Sequence, residues 1–89
     1  MKHPDKVVGF NGSLDELIDS IGNLRYDVLA KLLEKLADNI VMQAKGDEKR
    51  DNAQLAKRLY AHSETLYKAA EEMEKIWKLC EPYMNVDKK

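Results

Sequence analysis

From residue 13 onward the apolar residues recur at intervals of three and four, the period of an α-helix with one buried face. Leu14, Leu17, Ile21, Leu24 and Val28 form one stripe. A second begins at Tyr26 and continues through Leu29, Leu33, Leu36 and Ile40. On one continuous helix the two stripes would lie on roughly opposite sides, leaving residues 24–29 apolar all round. A break at Gly22-Asn23 removes the conflict, because each piece can then turn its own stripe inward. Glycine in a helix interior costs about 1 kcal/mol relative to alanine, which favours a break at the same place. The pattern therefore predicts a first helix over 14–21 and a second over 24–45.

Ser13 is a natural N-cap for the first helix, and Glu16 three residues on completes a capping box. Gly46 is a natural stop for the second helix, and Asp47 can cap the next one. So short a connection makes helices two and three antiparallel. The third helix is expected over 48–81, ending where Pro82 pushes its predecessor out of the helical region.

Helix three carries a heptad-like row: Asn52, Leu55, Leu59, His62, Leu66, Ala69, Met73, Ile76, Cys80. Beside it runs a row spaced by seven, Ala56, Ser63, Ala70 and Trp77, matched on helix two by Ala30, Ala37 and Ala44. Small residues in register let two backbones approach at the low end of the usual ~8–10 Å interaxial range.

The expectation is an all-α fold: a short helix plus a long antiparallel helical hairpin, three-helix and bundle-like, assembling into a dimeric helical bundle. Residues 1–12 form an extended N-terminal arm, since Pro4, Gly9 and Gly12 interrupt any helix. Residues 13–84 make a single helical domain, and 85–89 a polar tail. Met1 reads as a natural start. Tyr83 and Met84 are expected to fold back over Trp77.

Composition narrows the function classes. The 89 residues hold one domain, and so small a domain buries little of its surface without a partner. With 15 basic and 16 acidic residues the formal net charge is −1, which gives no electrostatic case for nucleic acid or an anionic membrane. The single Cys forms no internal disulfide, so a reduced, cytoplasmic setting is expected. The first residues lack the apolar stretch of a signal peptide, and no run approaches the ~20 apolar residues that span a bilayer.

Candidate chemistry is thin. His62 has Leu59 three residues before it, not the Glu of a helical Glu-x-x-His metal motif, so it reads as a half-buried seam residue bonded to a neighbouring helix. The acidic groups Asp15-Glu16-Asp19 and Glu71-Glu72-Glu74 lack the inward-facing pairs that hold Mg²⁺. Glu71-Lys75 and Glu74-Lys78 instead read as salt-bridged surface pairs. Ser13 is explained by capping. Cys80 and Trp77 are expected to face the core, and Cys80 sits at the negative end of a helix beside Glu81, a poor setting for a reactive thiol.

No catalytic, cofactor-binding or metal-ligating set emerges. The expected role is therefore non-enzymatic: protein–protein interaction or homo-oligomerisation as a dimer, with a larger protein partner as a further possibility. The surplus apolar surface that points there is Val28, Leu32, Val41 and Met42 on helix two, Tyr60 and Tyr67 on helix three, and Phe10 in the arm. The alternative is a small DNA-binding regulator using the basic hairpin tip of Lys45, Lys49, Arg50, Lys57 and Arg58.

Overall fold

The computed structural model describes the backbone of residues 3–87 and the side chains of residues 3–83. Its elements are α1 (Leu14–Gly22), α2 (Tyr26–Lys49) and α3 (Ala53–Asp87), with no strand among the described residues. The chain is all-helical, and α2 and α3 pack as a helical hairpin.

The capping box forms as the sequence predicts. Glu16 N–H donates to Ser13 Oγ at 3.1 Å and Ser13 N–H to Glu16 Oε1 at 2.7 Å. The break after Gly22 is complete: residues 23–25 are non-helical, and the Asn23 N–H closes α1 on the Asp19 carbonyl. Arg25 stands at the N-cap of α2 without a capping side chain of its own. Asp27 supplies the acceptor instead, taking the Val28 N–H at 2.9 Å and the Arg25 guanidinium at 2.6 and 3.0 Å.

Both ends of α2 and of α3 differ from expectation, α2 beginning at Tyr26 rather than at residue 24. α2 does not stop at Gly46 but continues to Lys49, and Asp47 does not cap α3. Asp47 is buried inside α2, where its carboxylate accepts from Arg50 Nη2 at 2.8 Å. Its carbonyl takes the Asn52 N–H at 2.8 Å. A Cβ at Gly46 would meet the Arg50 guanidinium at 3.5 Å, an ordinary contact, so the packing here leaves room for a side chain. The chain then reverses through Asp51, at φ 66°, and α3 starts at Ala53, five residues later than expected.

At the other end α3 runs through Pro82 to Asp87, so residues 85–87 are helix and not tail. The fixed φ of proline is itself helical, but Pro82 lacks the N–H whose usual acceptor is the Lys78 carbonyl, and its ring crowds that carbonyl. Tyr83 is 71 % exposed and does not cover Trp77; the Met84 side chain lies outside the described residues.

The hairpin closes on small residues. Ala30, Ala37 and Ala44 of α2 and Ala56, Ser63 and Ala70 of α3 are buried. The row spaced by seven is the contact surface, and the Leu-rich row of α3 is not. No Leu, Ile, Val, Met or aromatic side chain is buried among the described residues. Nor does α1 fold back into a three-helix bundle: its packing on the rest of the chain is slight, and Leu14 and Ile18 stay 69 % and 54 % exposed.

The resulting shape is thin, 54 × 30 × 14 Å, a single layer of helices. Stable domains normally bury a core between two layers. The radius of gyration is 16.3 Å, against roughly 12 Å for a compact chain of this length.

Candidate protein interaction surface

Helical geometry divides the hairpin into two sides. With Ala37 pointing at α3, Leu29, Leu33, Leu36 and Ile40 lie to one side of that direction, centred about 80° away. With Ser63 pointing at α2, Leu55, Leu59, Leu66 and Met73 lie about the same angle away, with the opposite sense along an antiparallel helix. Both sets therefore open onto the same side of the hairpin. Leu29, Leu33, Ile40, Leu59, Leu66 and Met73 are half-buried, while Leu36 and Leu55 are 44 % and 50 % exposed. Among the described residues α1 packs only slightly on the hairpin and does not cover this side. The single layer thus presents one continuous Leu-rich face.

The opposite side is polar and tied together. Tyr60 Oη donates to Glu48 Oε1 at 3.0 Å, and Tyr67 Oη donates to Asp38 Oδ1. Both phenols are held above the ordinary tyrosine range. For Tyr60 the main cause is burial, followed by the Glu48 carboxylate; for Tyr67 it is the hydrogen bond to Asp38, then burial and the charges of Asp38 and Glu34. Ser63 Oγ donates to the Tyr60 carbonyl at 2.7 Å, which satisfies the only hydroxyl in the alanine seam.

The residues singled out from sequence are scattered. Leu32 belongs to the edge of the Leu-rich face and is half-buried. Val28 and Met42, 40 % and 70 % exposed, project away from α3. Val41, half-buried, and the two tyrosines belong to the polar side, where the tyrosine hydroxyls serve the hairpin itself. Phe10 stays in the arm: its ring edge sits 2.7 Å from where a Gly12 Cβ would be, so the glycine makes room for it. The Leu-rich face was hidden in the sequence because its spacing is that of a core.

His62 is exposed, not half-buried in the seam as expected. It stands near the middle of the Leu-rich face, one helical turn from Leu59 and Leu66. Trp77 is half-buried and continues that face toward α1, with the Arg25 guanidinium 5.5 Å from its ring centroid. Cys80 is half-buried beyond it. Gly22 to Tyr26 and Trp77 border an open cleft of about 410 Å³.

At the hairpin tip Lys45, Lys49, Lys57 and Arg58 are exposed, Arg50 is paired with Asp47, and Glu48 and Asp51 sit among them. Among the described residues no three His, Cys, Asp or Glu side chains cluster closely enough to hold a metal ion, and no helix is long and apolar enough to cross a membrane. Comparison with protein families, curated proteins and solved structures found no match.

Proposed function

We propose that this chain is a non-enzymatic interaction protein that works as a homodimer, two hairpins closing their Leu-rich faces on each other as a four-helix bundle in a cytoplasmic setting. The observation that carries this reading is the missing core. A compact monomer of 10.2 kDa exposes roughly 5,300 Å², whereas this chain exposes 7534 Å². The excess, roughly 2,200 Å², is more than twice the ~800 Å² that each partner contributes to a standard stable interface.

A second copy fits this surface in three ways. It has the same length, so it covers the face from end to end. It is apolar at the same positions, so a two-fold axis sets Leu against Leu without stranding a charge. It supplies the second layer that a 14 Å thickness lacks.

The test places a charge on either side of the hairpin. Leu36→Glu and Leu66→Glu should convert the protein to monomer in light scattering, because a carboxylate buried in an apolar interface costs several kcal/mol. Met42→Glu, pointing away from the face, should leave the mass unchanged. Dissociation by Met42→Glu alone would move the interface elsewhere.

A further inference from the structure

We infer that His62 makes this assembly sensitive to pH, the dimer forming near neutrality and loosening in mild acid; the inference rests on the homodimer reading above. His62 lies on α3 at about the mid-height of α2, with Leu59 and Leu66 a turn away on its own helix and Leu36 and Ile40 across the groove. A partner that covers the Leu-rich face, in either orientation, covers His62 with it. A lone polar residue in such a seam lowers stability and gains specificity in return.

The ionisable surroundings decide the sign. On α3, Arg58 stands one turn before His62 at the margin of the face, and Cys80 lies far along it. On α2 the one carboxylate on this side is Asp47, at the hairpin tip, already held by Arg50. The other α2 residues level with His62 on this side are Leu36, Ile40, Asn39 and Gln43, all uncharged. The acids of α1, Asp15, Glu16 and Asp19, belong to a helix that packs only slightly on the hairpin. A second copy presents the same set. No free carboxylate therefore meets an imidazolium at the centre of the interface, and Arg58 opposes it. Histidine changes its charge between pH 5 and 8. Its neutral form can be buried among leucines, whereas its charged form must first release a proton, so association weakens as pH falls.

Sedimentation equilibrium of the full-length chain at neutral pH and near pH 5.5 tests this. With two His62 side chains per dimer, the dissociation constant of the wild type should rise by about tenfold or more on acidification. His62→Gln, polar but without a proton to gain, should lose most of that dependence, and His62→Leu should dimerise more tightly at both pH values. A wild-type dimer indifferent to pH, one that tightens in acid, or a His62→Gln variant with the wild-type dependence would each overturn the inference while leaving the dimer standing. A monomer at both pH values would overturn the dimer reading itself.

Discussion

Tyr60 Oη lies 3.0 Å from Glu48 Oε1, a bond that joins α3 to the last turn of α2 and pins the polar side of the hairpin near its tip. Tyr67 and Asp38 repeat the arrangement further along. Both bonds need the phenol protonated, and both phenols are held above their ordinary range. Their contribution is therefore complete below the unfolded tyrosine value of about pH 10 and is lost as pH rises through the higher folded values. The double variant Tyr60→Phe/Tyr67→Phe should melt lower than wild type at neutral pH. The gap should close at strongly alkaline pH. A gap that persists unchanged there would mean that the hydroxyls contribute through something other than these bonds.

The alanine seam predicts a sharp size limit. Ala37 has no exposed surface and stands where the two helices meet. Ala37→Leu forces the helices apart and should destabilise by about 1–3 kcal/mol or more. Ala61→Leu, on the exposed side of α3, should change stability by less than about 0.5 kcal/mol. Urea unfolding of the two variants side by side checks this.

The turn between α2 and α3 rests on one left-handed residue, Asp51. Left-handed backbone costs a side-chain-bearing residue about 1–2 kcal/mol, least for Asp and Asn, whose side chains can bond locally. Asp51→Gly should leave stability equal or higher. Asp51→Val should lower it by about 1–2 kcal/mol in the same urea assay.

Much of the fold was legible in the sequence because local rules decided it. Ser13 and Glu16 announced the start of α1, Gly22-Asn23 the break, and the seven-residue spacing of Ala30, Ala37 and Ala44 against Ala56, Ser63 and Ala70 the tight hairpin. The ends of α2 and α3 were less legible. Gly46 reads as a stop, yet it lies within the helix, which continues to Lys49 with the Asp47 and Arg50 side chains paired across its last turn. Pro82 reads as a stop, yet its fixed φ is helical and α3 runs through it to Asp87.

The Leu-rich face was not legible as an open surface for a different reason. Leu36, Leu59 and Leu66 have the spacing of a buried face, and periodicity alone does not say which molecule covers it. Tyr60 and Tyr67 looked surplus because their carboxylate partners, Glu48 and Asp38, lie 12 and 29 residues away, beyond any local pattern.

The most direct test of the central claim is the mass of the full-length wild-type chain in solution. Sedimentation equilibrium at tens of micromolar and neutral pH should give twice the chain mass of 10.2 kDa, with cooperative unfolding whose midpoint rises with protein concentration. A 10.2 kDa species that unfolds cooperatively at a concentration-independent midpoint would contradict the account, since it would mean that the single helical layer is stable with its Leu-rich face open to water.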